Sequence, residues 1–273
     1  ITTNGFFAYM DNHALTRESL DFYTYDSYPD FAFALCEDPL HSDDLNDRKW
    51  SKNLAKMRSI SPIFGIMEQQ SGANGWNTRM EAPAPKPGQM TLWAMQSIAH
   101  GADFVSFFRW RTSIMGTEIY WHGILDYSGR DNRRLKELGQ IWDKTKRLSE
   151  IAGAVYKGSF AVLCDYNNEF DSNIDVWHRA VEKASSKGIF NAGQLLHAPM
   201  DYIYESDALT QQELSRYPVI FYPHGTILTE SLCQKLEEYV KAGGTLVLGC
   251  RTGYKDETGK CVMAKLPGLL RKL

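Results

Sequence analysis

The chain has 273 residues, 43% of them hydrophobic and 23% charged, with a formal net charge of -3. This is the composition of an ordinary globular protein, and its slight acidity disfavours a nucleic-acid backbone or an anionic membrane as partner. No apolar run reaches the roughly 18 residues of a membrane span.

The chain opens at Ile1 without a methionine or a charged leader, which reads as a start inside a fold. ITTN is a first candidate strand and FYTYD (22–26) a second, running into YDSYP with Asp26 and Tyr28 at its end. A long segment, PDFAFALCEDPLH, follows as a loop. SDDLNDRKWSKNLAKMRSI then spaces Leu45, Trp50, Leu54 and Met57 as one helical face, behind Ser and Asp cap candidates.

PIFGIM (62–67) is the third strand, and it runs directly into a carboxylate, Glu68. Most glutamates at strand ends simply meet solvent. A catalytic carboxylate at the mouth of a parallel sheet is the sharper reading. QQSGANGWNTRMEAPAPK follows as a loop carrying Trp76. PGQMTLWAMQSIAHG is a helix opened by Pro87 and closed by Gly101, with Met90, Trp93, Ala94, Ser97 and Ile98 as its buried stripe. DFVSFFRW (103–110) is the fourth strand, ending in Arg109 and Arg111, and the loop after it carries Glu118 and His122. A helix over about 131–151 closes this half.

Alternating strands and helices predict an α/β fold with a parallel sheet. Long, chemically rich loops follow the strand C-termini, where a (β/α)8 barrel builds its active site. An open doubly wound sheet obeys a similar rule. Four such strands make about half a barrel. If they are neighbours, Glu68, Trp76, Tyr28, Glu118, His122 and Arg109 meet at one rim. Aromatic faces with carboxylates and other polar groups suit a sugar. Glycoside hydrolysis by paired carboxylates is the implied chemistry, with Arg109 a candidate for keeping Glu68 ionised.

The second half reads as a compact α/β domain. KGSFAVLCDY, MDYIYESD, YPVIFYPHG and TLVLGC are its strands. IDVWHRAVEKASSKG is a helix ended by Gly188, and TESLCQKLEEYVKAGG one opened by Thr229 and ended by Gly243 and Gly244. The expected domains are 1–155 and 156–273, the second a flavodoxin-like three-layer unit. The cysteines, Cys36, Cys164, Cys233, Cys250 and Cys261, form no CxxC pair, so buried free thiols in a reducing, cytoplasmic setting are expected and zinc is not.

The segments YDSYP, IMEQQSGANGW, KPGQMTLWAMQSIAHGAD, FFRWR and GTEIYWHGILDYSG, which cover most of 20–130, closely resemble the catalytic barrel of the family 42 glycoside hydrolases. That resemblance implies a retaining β-galactosidase with Glu68 as nucleophile. It implies substrate-binding roles for Tyr28, Trp76, Glu118 and His122, and it requires no cofactor or metal here. An α-L-arabinopyranosidase and a non-catalytic assembly fragment are the alternative readings. The family's acid/base glutamate follows an asparagine, and the only Asn-Glu pair, Asn168-Glu169, lies in the second half. The acid/base residue is therefore expected upstream of Ile1, and these residues alone are expected to be inactive. The second half resembles the family's glutamine-amidotransferase-like trimerisation domain, which implies a homotrimer. Exposed aromatics such as Trp177 and Tyr254 are candidates for its contacts. Cys164, read as lying within its strand, and Cys250, with no helix after it, lack the sharp elbow a nucleophilic cysteine needs.

Overall fold

The computed structural model describes residues 1–5, 9–29 and 46–273. Most of the predicted loop after YDSYP, together with Cys36 and Leu45, lies outside the described residues. Two compact units are present, one holding Asn12–Tyr156 and the other Lys157–Leu273.

The first unit runs α1 (Asn12–Ser19), β1 (Tyr23–Ser27), α2 (Asn46–Ile60), β2 (Phe64–Gln70), β3 (Asn74–Trp76), β4 (Arg79–Ala82), α3 (Gln89–Ala99), β5 (Val105–Phe108) and α4 (Arg133–Arg147). Its main sheet has three parallel strands in the order β1-β2-β5. Parallel strands are covered on both faces, so they are apolar on both. Tyr23, Tyr25, Phe64 and Ile66 of the sheet pack with Leu54, Met57 and Ile60 of α2. Each such side chain, fully buried, contributes roughly 1.5–3 kcal/mol. Met90 and Ala94 of α3 meet Ile141 of α4 beneath Ile124 and Leu125.

Several boundaries differ from the sequence reading. ITTN forms no strand; Asn4 makes a single parallel bridge to Thr24. The segment read as a loop after Glu68 contains an antiparallel hairpin, β3-β4, which pairs Trp76 with Arg79. α3 begins after Gly88, whose φ of 86° puts the turn there instead of at Pro87. Of its predicted stripe, Ile98 is only half-buried. α4 is shorter than predicted: the Asn132 side chain caps its start, accepting from the Leu135 amide at 3.1 Å, and past Arg147 the chain tightens into a 3-10 turn over Ser149–Ile151.

The second unit runs β6 (Phe160–Cys164), α5 (Tyr166–Ile174), α6 (Val176–Leu195), β7 (Met200–Tyr204), α7 (Gln211–Leu214), β8 (Val219–Tyr222), α8 (Glu230–Lys241) and β9 (Thr245–Leu248). All four strands are parallel, in the order β7-β6-β8-β9. Leu163, Ile220 and Tyr222 pack against Leu232, Leu236 and Tyr239 of α8. α6 does not stop at Gly188; it continues through Phe190, which is buried, and ends at Leu195. Nothing forces a left-handed turn at Gly188, so the apolar face beyond it keeps the helix going. At Gly243 the turn is real, with φ at 101°.

Cys164 ends β6 instead of lying within it, next to the Asp165 cap of α5, but its thiol is buried and offers no open elbow. Cys233 is also buried, whereas Cys250 and Cys261 are exposed, unlike the buried thiols expected. Asn168 is fully buried within this unit and Glu169 accepts from the Tyr204 hydroxyl at 2.8 Å, so the Asn-Glu pair belongs to its packing. Among the described residues no helix is long and apolar enough to cross a membrane.

Candidate active site

Side chains on a strand alternate between faces. Phe64 and Ile66 point to the α2 layer, and strict alternation would send Glu68 after them. The register prevents this. β1 pairs Tyr25 with Ile66 and then Asp26 with Glu68, while β5 pairs Val105 with Ile66 and then Phe107 with Gln69. Against both neighbours β2 carries one extra residue at Met67–Glu68, a β-bulge of the kind that re-aims a side chain. Glu68 is thereby turned beside Asp26. It does not end the strand, as the sequence reading had it. β2 continues through Gln69, whose side chain donates to the Ser27 carbonyl at 3.1 Å, and Gln70.

Glu68 opens into a cavity of about 420 Å³. Asp26, Tyr28, Trp76 and Glu118 line it too, along with Trp50, Phe108 and Trp121. The Tyr28 hydroxyl donates to Glu68 Oε2 at 2.6 Å. Burial, together with the hydrogen bond to Glu68 and the Glu68 charge, pushes the Tyr28 hydroxyl well above its usual range, so it remains a donor. Asp26 receives Asn4 Nδ2 on both oxygens, at 2.9 and 2.8 Å. Burial raises Asp26 to about 6, and the nearby Glu68 charge adds to this against the Asn4 hydrogen bond.

The aromatic wall is built around Trp121, which is 6% exposed. Its ring centroid lies 4.8 Å from that of Trp76 and 5.3 Å from that of Tyr28. Arg79, the hairpin partner of Trp76, lies 4.9 Å over the Trp76 ring. Two glycines let the loop after β5 pack closely, Gly72 by receiving it just past the end of β2 and Gly123 by letting it fold back on the residues that follow β5. A Cβ on Gly72 would come within 2.4 Å of the His122 carbonyl oxygen, and one on Gly123 within 2.3 Å of that of Arg109.

Four of the five residues singled out in the sequence, Tyr28, Glu68, Trp76 and Glu118, therefore share one cavity. His122 does not line it. Its Nδ1 stands 3.6 Å from Asp126 Oδ1, and its ring meets that of Tyr127 edge-on. Arg109 does not serve Glu68 as expected. Its guanidinium donates to Glu118 Oε2 at 3.1 Å and to the carbonyls of Glu118 and Trp121 at 2.8 and 3.1 Å, so it fixes the Glu118 loop. Arg111 donates to the Tyr127 carbonyl at 2.9 Å. Trp121, Trp50 and Phe108 were not read as site residues. Trp121 had a signal, since it lies between Glu118 and His122. Among the described residues no group of three or more His, Cys, Asp or Glu is placed to hold a metal ion.

Among the described residues, the cavity offers three carboxylates, no cation and aromatic faces. Such a site suits a neutral, hydroxyl-rich ring that develops positive charge as it reacts.

Residues 1–148 match the family 42 glycoside hydrolase model described as Beta-galactosidase, and residues 160–273 match the one described as Beta-galactosidase trimerisation domain. The chain is 32% identical over 276 residues to beta-galactosidase BgaA of Clostridium cellulovorans, an alignment that covers 100% of this chain and 40% of that protein. It is 28% identical to beta-galactosidase LacZ of Heyndrickxia coagulans, over 94% of this chain and 36% of that one. The solved beta-galactosidase of the psychrophilic Marinomonas ef1 superposes with a TM-score of 0.82 at 26% identity, covering 99% of this chain and 42% of that chain. The chain thus spans about 40% of the length of the first of these relatives. With more than half of its residues inside the first match, and as the resemblance of its segments implied, the chain belongs to glycoside hydrolase family 42.

Proposed function

We propose that the chain carries the nucleophile half of a retaining β-galactosidase. The observation that carries this reading is the Tyr28–Glu68 hydrogen bond, at 2.6 Å, inside an aromatic and acidic cavity at the C-terminal ends of parallel strands. Glu68 attacks the anomeric carbon of a terminal β-galactoside, and a carboxylic acid from a barrel strand outside these residues protonates the departing oxygen. That acid then activates water to release galactose with retention. Trp76 and Trp121 provide the apolar platform, and Glu118, held by Arg109, accepts from sugar hydroxyls. His122, anchored through Asp126, acts at the rim of the bound sugar. The sheet β1-β2-β5 is then one arc of a (β/α)8 barrel, and the domains divide at 155/156.

The test is trapping. An activated 2-deoxy-2-fluoro-β-galactoside incubated with the full-length enzyme should leave its sugar on the peptide that contains Glu68, read by mass spectrometry. A label on a different carboxylate rejects the assignment.

The second unit we read as the assembly module of a homotrimer, supported by its match to the trimerisation model. Trp177, 70% exposed, and Tyr254, 39% exposed, are available for such contacts. Size-exclusion chromatography with light scattering should give a mass of three chains, and a monomer at micromolar concentration rejects that assembly. The four described cysteines are unbridged, which supports a reducing, cytoplasmic setting.

A further inference from the structure

We propose that Asp26, clasped by Asn4, is a positioning residue acting through Glu68: its negative charge speeds transfer of the sugar onto Glu68 without speeding the sugar's release. This rests on the reading of Glu68 as the nucleophile.

The geometry is specific. Asp26 and Glu68 are directly paired on neighbouring strands, and the bulge at Met67–Glu68 creates that pairing. Both line the same cavity. Each carboxylate has its own donor, Tyr28 for Glu68 and Asn4 for Asp26. Asn4 reaches both oxygens of Asp26, which fixes the carboxylate in one orientation. Among the described residues, the other titratable groups in the cavity are Tyr28 and Glu118, and none of the lining residues is cationic. The one described α2 side chain in the cavity, Trp50, carries no charge. Among the described residues, nothing positive lines the cavity to offset the repulsion between Asp26 and Glu68.

The consequence follows from the charge that Glu68 carries at each step. In the first step an oxygen of Glu68 bonds to the anomeric carbon. The bond from that carbon to the aglycone oxygen breaks, and its electron pair leaves with that oxygen. The leaving oxygen takes a proton from a carboxylic acid elsewhere in the enzyme, or departs as a stable anion when the leaving group is activated. Glu68 goes from anion to neutral ester, so repulsion from Asp26 is relieved, while the positive charge growing on the sugar is attracted to Asp26. In the second step a water oxygen takes over the anomeric carbon, its proton passes to the base, and the Glu68 oxygen recovers its electron pair. Repulsion returns as Glu68 recovers its charge, and it offsets the attraction of Asp26 for the positive charge that again grows on the sugar, so this step gains nothing from Asp26.

Asp26 does not have the position of the general acid. It stands beside Glu68 on the next strand, whereas the acid of a retaining enzyme faces the nucleophile across the scissile bond. The elevation of Asp26 to about 6 places the change in its charge within the working range of such an enzyme. Above that pH the charge is present, and below it the first step should slow.

The experiment separates the two steps in the full-length enzyme. 2-Deoxy-2-fluoro-β-galactosyl fluoride needs no general acid to leave, so its trapping rate reports the first step alone. Reactivation of the trapped enzyme reports the second. In the unaltered enzyme the trapping rate should rise as pH passes through about 6. Asp26→Asn should lower trapping about tenfold at pH 7, equivalent to about 1.4 kcal/mol of barrier, abolish the rise with pH, and leave reactivation equal or faster. Asn4→Ala keeps the charge but removes a bond to the ionised form, so its rise should move to higher pH.

Equal trapping rates and equal pH profiles for Asp26→Asn and the unaltered enzyme overturn the proposal. So does a parallel loss in both steps, which is what a merely structural role gives. If Asp26→Asn does not fold, a flat trapping profile between pH 5 and 7 in the unaltered enzyme, or an unmoved rise in Asn4→Ala, overturns it as well. A label on a residue other than Glu68 rejects the proposed function itself, and is told apart from these results by the peptide map.

Discussion

Glu68→Gly in the full-length enzyme is expected to reduce turnover of a galactoside by on the order of 10^5-fold, as removing a nucleophile does in other covalent enzymes. The loss should have a chemical signature. Glycine leaves a hole where the carboxylate stood, beneath the anomeric carbon and opposite the leaving group. Azide can enter that hole and attack from the same side. With an activated β-galactoside, azide should restore turnover and the product should be the α-galactosyl azide. The rest of the cavity is built by other elements: Tyr28 from the end of β1, Trp76 from the hairpin, and Glu118 with Trp121 from the loop after β5. Binding should therefore survive while chemistry does not, so KM should change far less than kcat. A β-configured azide would mean that the general acid or base had been removed instead, and that Glu68 has the other role.

How Glu68 reaches the cavity was only half legible in the sequence. An apolar run ending in a carboxylate marked the strand and the residue. It did not mark the bulge, because a bulge is a mismatch between three strands and none of them carries it alone. Ile66 pairs with Tyr25 on one side and Val105 on the other, and the slip appears only when both registers are compared. Without it, alternation would bury Glu68 against α2. The same limit explains Arg109. Its charge suggested a partner for the nearest catalytic carboxylate, but its reach is set by the loop that returns over it, and that loop brings Glu118 and two carbonyls.

Trp121 was passed over for another reason. Sequence reading weighs charged residues in a loop, whereas the aromatic wall is decided by packing among Trp76, Tyr28 and Trp121. His122 is the reverse case. Its neighbours in sequence are in the cavity, but its own side chain faces Asp126. In the second unit, caps and turns were legible where they are local, as at Thr229 and Gly243, where one side chain or one left-handed residue suffices. Gly188 was misread because a glycine ends a helix only when the backbone turns there. The Asn-Glu pair could be set aside by its place in the second half, but not explained. Its use is visible only in the three-dimensional network around Asn168.

That network supports the second large prediction, on the stability of the second unit. Asn168→Ala should destabilise it by about 3–5 kcal/mol, since several buried polar groups lose a partner at about 1–3 kcal/mol each, a large share of the roughly 5–15 kcal/mol that holds a typical domain. Asp165 is buried at the end of β6 and accepts from the Asn168 amide at 2.7 Å, from Asn168 Nδ2 at 2.6 Å and from the Tyr222 hydroxyl at 2.6 Å. Asn168 also donates to the Ile227 carbonyl at 3.0 Å and accepts from the Ile227 amide at 2.8 Å. Alanine keeps the backbone bond, and the Tyr222 hydroxyl still reaches the carboxyl, but Asp165 loses one donor and the Ile227 amide and carbonyl lose the Asn168 side chain as their partner, away from water. Urea unfolding followed by circular dichroism should show the loss, and light scattering should show the proposed trimer dissociating at lower urea.

Tyr222→Phe is the sharper variant because it removes one donor and little volume. Burial holds Asp165 above the usual carboxylate range, and the Tyr222 hydroxyl works against that rise. The folded unit therefore keeps a proton that the unfolded chain releases above about pH 4. Stability falls as pH rises from there until Asp165 ionises in the fold. Without the hydroxyl that ionisation moves to higher pH, so the fall should continue further. The penalty of Tyr222→Phe, about 1–3 kcal/mol, should accordingly be smallest in acid and grow toward neutral pH. A penalty that is the same at every pH would mean that the lost bond matters only as packing, and that the charge on Asp165 has no part in what Tyr222 stabilises.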